Sequence, residues 1–109
     1  MNAKARRLFV LARDKHTCQY CLKRPETLTL DHVIPKSHGG MNRKDNLVAC
    51  CWDCNDKRRN MELAEWCGQV ACRTNQTKIE ILVRILRQIS INYDHLTTKE
   101  QLKMVGAIY

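Results

Sequence analysis

Two C-x-x-C pairs, Cys18-Gln19-Tyr20-Cys21 and Cys51-Trp52-Asp53-Cys54, bracket a stretch that contains Asp31-His32, and Asn55 follows the second pair directly. Two intervening residues let both thiolates of a pair turn toward one ion, and two such pairs complete a closed tetrahedral zinc site with no position left for substrate. Asp31 offers carboxylate oxygen to a hard divalent cation. His32 offers an imidazole that titrates near neutral pH, as a general base must. Phosphodiester hydrolysis needs an activated water, a cation to offset charge developing on the phosphate, and help for the leaving oxygen. Neighbouring residues of a strand point to opposite sides, so Asp31 and His32 converge only if the strand ends or bends there. Pro35 and the loop after it permit that. A third group must come from a facing helix, where Asn55 and Asp56 are the candidates.

These residues must be positioned by short elements. Thr27 to Ile34 alternates polar and apolar before turning apolar, a strand signature that ends near Pro35. Ser37-His38-Gly39-Gly40 reads as a flexible loop, and Asn46 to Cys50 as a second strand, antiparallel to the first. Asn55 is expected to open a helix that runs to about Trp66 and stops at Gly68, with its positive N-terminus toward a phosphate. Upstream, Ala3 to Arg13 has helical period, with Ala5, Leu8, Phe9 and Ala12 on one face and arginines on the other. Ala71 to Gln76 is a polar link. Thr77-x-x-Glu80 is a capping box ahead of an apolar stripe of Ile79, Leu82, Val83, Leu86 and Ile89. A second box, Thr97-x-x-Glu100, precedes a short helix with Leu102, Val105 and Ile108. The stripe packs on the central module or serves a homodimer.

Each candidate also has a plainer reading. An Asp-His pair is commonly a polar strand end, an Asn at a helix start commonly a cap, and a C-x-x-C pair can be redox-active in a βαβ setting, which is missing here. Seven cysteines is an odd number, and no secretory signal is evident at the start, so a disulfide framework fits poorly and a metal site in a reducing, cytoplasmic setting fits well. Cys50, Cys67 and Cys72 are left as small buried hydrophobes. At 109 residues the chain is one small domain, which gains from a metal staple. No apolar run is long enough to span a bilayer. The formal charge of +8 is concentrated in residues 1–24, where seven basic residues stand against Asp14 alone. Such a patch beside a metal site suits a polyanion, most simply nucleic acid, though a solvated basic helix would look the same.

From Arg6 to Asn60 the chain resembles the HNH endonucleases of the zinc-containing ββα-metal type. The resemblance is carried by LARDKHTCQYC, LTLDHVIPKSHGG, NLVACCWDCN and the final RRN, in that order. It implies an α+β fold, a treble-clef-like ββα module flanked by helices. The chain would divide into a basic N-terminal helix over residues 1–17, the zinc-stapled module over 18–67 and a helical extension over 68–109. It implies structural zinc on Cys18, Cys21, Cys51 and Cys54; His32 as general base; a catalytic Mg²⁺, Mn²⁺ or other divalent ion on Asp31 and Asn55; and Asn46 tying the loop between the strands by hydrogen bonds. Arg6, Arg7, Lys36, Arg43, Lys44, Lys57 and Arg58 are the candidate phosphate contacts. The expected activity is metal-dependent hydrolysis of DNA, by nicking or double-strand cutting, with 5′-phosphate and 3′-hydroxyl products. A silent zinc-stabilised module that binds nucleic acid is the alternative, and a protein-docking zinc finger a third. The family often has His where Asp56 stands, Lys-Gly where Arg58-Arg59 stands and Arg where His38 stands. Small HNH proteins of phages, mobile elements and bacterial defence are similar in kind, so packaging or defence partners belong to the same expectation.

Overall fold

The structure is a computed structural model and describes residues 1–89. The second capping box and its apolar positions, Leu102, Val105 and Ile108, lie outside the described residues. Helix α1 (Ala3–Arg13) starts where the Asn2 side chain accepts a hydrogen bond from the Ala5 amide at 2.8 Å, a side-chain cap. The first cysteine pair leads to β1 (Thr29–His32), and β2 (Leu47–Cys50) returns antiparallel, with Asp31 opposite Val48 and His32 opposite Leu47. Between them run two single 3₁₀ turns, Lys36–His38 and Lys44–Asn46. Helices α2 (Trp52–Arg58), α3 (Leu63–Arg73) and α4 (Lys78–Gln88) follow. The result is a small α+β fold in which α2 lies against β1 and the α3–α4 pair closes the core. Trp66, Val70, Ile81, Leu82, Ile85 and Leu86 meet Val48, Leu28 and Tyr20 there. No described helix is long and apolar enough to cross a membrane.

Several expectations change. The apolar face assigned to α1 is the outer one: Leu8 is 59% exposed and Phe9 38%, while Val10 and Leu11 are buried. Two of its arginines reach backbone carbonyls of the central module instead of standing free in solvent. Arg7 donates to the Leu28 carbonyl at 2.6 Å, and Arg13 to the carbonyls of Lys44 and Leu47 at 2.8 and 2.5 Å. The single helix expected from Asn55 to Trp66 is two. It opens earlier, at Trp52 with Cys51 as cap, and breaks at Arg59, whose φ of 54° is left-handed. Gly68 stops nothing: it lies inside α3, so the boundary expected between residues 67 and 68 falls within a helix. The polar link shrinks to 74–77, because α3 runs through Arg73.

The Ser37–Gly40 loop is not slack. Gly39 has φ 90°, and a Cβ on Gly40 would lie 1.7 Å from the Ile34 carbonyl oxygen, so only glycine lets the loop cross there. Thr77 does cap α4, accepting from the Glu80 amide at 3.1 Å. The buried face of α4 is Ile81, Leu82, Ile85 and Leu86, with Ile89 beyond its end, while Ile79 is exposed. That face is taken up inside the chain, which removes the stripe's argument for a homodimer among the described residues. Cys50 and Cys67 are buried as expected, but Cys72 is exposed.

Candidate metal and nuclease site

The two knuckles meet. The sulfurs of Cys18, Cys21, Cys51 and Cys54 all lie within 4.8 Å of one another, and those of Cys21 and Cys51 are 3.7 Å apart. Thiolates at about 2.3 Å from a tetrahedral zinc are spaced by about that much, so the cluster fits the ion in donor type, number and size. The Cys54 amide points at the Cys51 sulfur at 3.4 Å, the turn that a two-residue spacing produces. Hydrogen bonds from Cys50 and Cys54 hold the Cys18 thiol far below its ordinary pKa, whereas burial pushes Cys21 up to about 11. A bound cation would favour ionisation of all four. Cys50 remains a buried neighbour outside the four.

Asp31 and Asn55 come to the same side of β1. Thr29 and Asp31 share a face by strand alternation. The Asn55 amide nitrogen donates to the Thr29 hydroxyl at 2.7 Å and approaches the Leu30 carbonyl at 3.4 Å. Its amide oxygen is left as a donor atom for a cation. Asn55 sits one turn into α2, not at its start, and Asp56 is exposed. His32 is the last residue of β1, and its Nε2 lies 2.5 Å from Asn42 Oδ1. Asn46 ties the loop. It accepts from the Ile34 amide at 2.8 Å and donates to the carbonyls of Ile34 and Met41, each at 3.1 Å.

The basic residues divide. Arg6, Arg43 and Lys44 line an open cleft together with Met1 and Asn42, the residue that holds His32. Lys36 is exposed, and Lys57 pairs with Asp53 at 2.9 Å on the surface. Arg7 has one donor in the frame, on Leu28. Arg58 cannot meet a phosphate as expected. It is 1% exposed, and its donors go to Asp31, Tyr20 and the carbonyls of His32, Val33 and Met61. Tyr20 and Asn42 are the site-lining residues that spacing alone does not single out. Tyr20 is signalled only by its place inside the first knuckle, and Asn42 by nothing local.

Residues 18–61 match the family model of the HNH endonuclease. Over 57 residues, 49% of the chain, the sequence is 40% identical to the CRISPR-associated endonuclease Cas9 of Actinomyces naeslundii. Over 53 residues, 45% of the chain, it is 38% identical to the CRISPR-associated endonuclease Cas9 of Corynebacterium diphtheriae. The matches span only 4% and 5% of those relatives. In three dimensions 91% of the chain superposes on 11% of the crystal structure of the Type II-C Cas9 enzyme from Actinomyces naeslundii, with a TM-score of 0.60 and 27% identity.

Proposed function

We propose, from the match of residues 18–61 to the family model of the HNH endonuclease, that the chain is an endonuclease of this family and hydrolyses DNA phosphodiester bonds with a divalent metal. The observation that carries this is a juxtaposition: His32 is bonded to Asn42, and Asn42 lines the cleft that holds Arg6, Arg43 and Lys44. A candidate base therefore borders a groove of positive charge suited to a polyphosphate backbone. Zinc on the four cysteines serves the frame alone, since four protein ligands leave it no open position.

In this reading the His32 imidazole accepts a proton from water as the oxygen attacks phosphorus, the bond to the 3′ oxygen breaks, and the departing oxyanion takes a proton from solvent, leaving 5′-phosphate and 3′-hydroxyl ends. Asp31 and Asn55 would hold the cation, Mg²⁺ or Mn²⁺ or another divalent ion, which offsets charge on the phosphate and leaving oxygen. Asn46 keeps the loop that carries Asn42 in register with the end of β1. The contacts are to backbone, so cutting by this chain alone is weakly selective in sequence. Association with a larger CRISPR-type, phage or defence assembly is a further part of the proposal and does not alter the chemistry.

A supercoiled-plasmid assay with the zinc-loaded chain tests it. Mn²⁺ or Mg²⁺ gives nicked or linear product, and chelation of that ion abolishes it. His32→Ala lowers the rate by about 10²- to 10⁴-fold with an unchanged melting temperature. Folded, zinc-loaded protein that shifts DNA but cuts none under any divalent ion is instead the silent binding module.

A further inference from the structure

Asp31 is held by two buried side chains. The Tyr20 hydroxyl donates to Asp31 Oδ2 at 2.5 Å and Arg58 Nη1 donates to the same oxygen at 2.6 Å. Arg58 also donates to the Tyr20 hydroxyl at 3.1 Å, so the three groups close a triangle. Tyr20 is 0% exposed, Arg58 1% and Asp31 8%.

The triangle does more than satisfy a buried pair. Both donors fall on Oδ2, and among the described residues no hydrogen bond falls on Oδ1. The same guanidinium grips the carbonyls of His32 and Val33 at 2.7 and 2.6 Å, which fixes the backbone just past Asp31. Carboxylate rotation and strand end are therefore set by one residue from α2 and one from the first cysteine knuckle. We infer that Tyr20 and Arg58 are positioning residues for Asp31: they clamp Oδ2 and present Oδ1 as the oxygen that takes the divalent cation. The inference rests on the proposed role of Asp31 as a metal ligand. Partners of this kind, which orient a ligating carboxylate, typically matter by about 10- to 100-fold in metal affinity or activity.

Two charge-neutral variants isolate geometry from electrostatics. Tyr20→Phe removes the hydroxyl and keeps the ring that packs edge-on against Trp66 at 5.7 Å. Arg58→Lys keeps the charge and loses the fork. Mn²⁺ binding to the zinc-loaded full chain is followed by the loss of the free-ion EPR signal, and plasmid cutting is measured over the same Mn²⁺ range. Both variants raise the half-saturating Mn²⁺ concentration about tenfold or more, equally in binding and in cutting. Saturating Mn²⁺ restores the rate, and KM for DNA does not move. A lowered melting temperature with an unchanged Mn²⁺ constant makes the triangle merely structural and overturns the inference. If Arg58→Lys fails to fold, Tyr20→Phe decides alone. Asp31→Asn separates the two layers: if it leaves Mn²⁺ binding intact, the ligand reading itself fails and the inference with it.

Discussion

Two Arg–Asp pairs, each with a buried carboxylate, flank the small sheet, and only one touches the candidate chemistry. Behind β2, Arg13 grips Asp14 at 2.7 Å, and Asp14 Oδ2 accepts the Ala49 amide at 2.7 Å while Arg13 takes the carbonyls of Lys44 and Leu47. Beyond the end of β1, Arg58 grips Asp31 at 2.6 Å and takes the carbonyls of His32 and Val33. The chemistry of the two knots is the same: a guanidinium fork that satisfies backbone carbonyls of a sheet too short to pair them all, neutralised by a buried carboxylate. The difference is where the carboxylate turns. Asp14 uses Oδ2 on a backbone amide and closes the free edge of β2. Asp31 accepts both of its hydrogen bonds at Oδ2 and keeps Oδ1. Both knots tie the two-stranded sheet, but only the one at Asp31 leaves a carboxylate oxygen without a hydrogen bond among the described residues.

The largest perturbation should erase the comparison altogether. The two knots share the first cysteine knuckle, since Asp14 precedes it by four residues and Tyr20 lies inside it. A structural zinc contributes about 10 kcal/mol or more to folding, comparable with the whole stability of a small domain, about 5–15 kcal/mol. Strong chelation, or Cys18→Ser, should therefore unfold the protein, measured by loss of helical circular dichroism with stoichiometric release of zinc. Retention of native signal without zinc would show that the two knots and the core suffice.

Arg13→Met sharpens the contrast. It leaves Asp14, 2% exposed, without its cation, a change that costs about 3–5 kcal/mol when a buried pair loses one partner. The melting temperature should fall steeply, while the half-saturating Mn²⁺ concentration of the folded fraction stays at the wild-type value. A shift in that concentration would mean that the rear knot also sets the site, and the division of labour would be wrong.

The cysteine spacings and both strands were legible because each is a local pattern: a knuckle needs two residues between sulfurs, and a strand needs a short apolar or alternating run; the loop-tying place of Asn46 came from the family resemblance alone. The inner face of α1 was not legible. Amphipathic logic sends arginines to solvent, yet Arg7 and Arg13 answer carbonyls at least 21 residues away, and nothing near them in sequence announces that need. The break between α2 and α3 was hidden for the same reason. Arg58 read as a solvent-facing phosphate contact, but its burial drags the chain inward and leaves Arg59 in the left-handed region. Gly68 misled in the other direction: a Cβ there would meet only Lys78 Cδ, at 3.8 Å, so the helix passes through without strain. The pairing of Asp31 with Arg58 likewise depends on the turn after α2, which the sequence pattern placed wrongly.

The smallest expected effect falls on a residue that joins the rear knot to the basic cleft. The Lys44 carbonyl accepts from Arg13, while its ammonium sits 4.7 Å from the centre of the exposed Phe9 ring. Substituting the side chain leaves the carbonyl in place, so Lys44→Ala should keep the knot intact and lose only the cation–π contact, about 0.5–1 kcal/mol at an exposed site. If the ammonium also meets a phosphate, the slope of log binding constant against log salt should flatten by about 0.9 for duplex DNA. Arg43→Ala, exposed in the same cleft, should flatten it similarly with no change in melting temperature. The pair of measurements separates side chain from backbone at one position. A large thermal loss in Lys44→Ala with an unchanged salt slope would assign the residue wholly to the frame and move the DNA path away from the cleft beside Asn42.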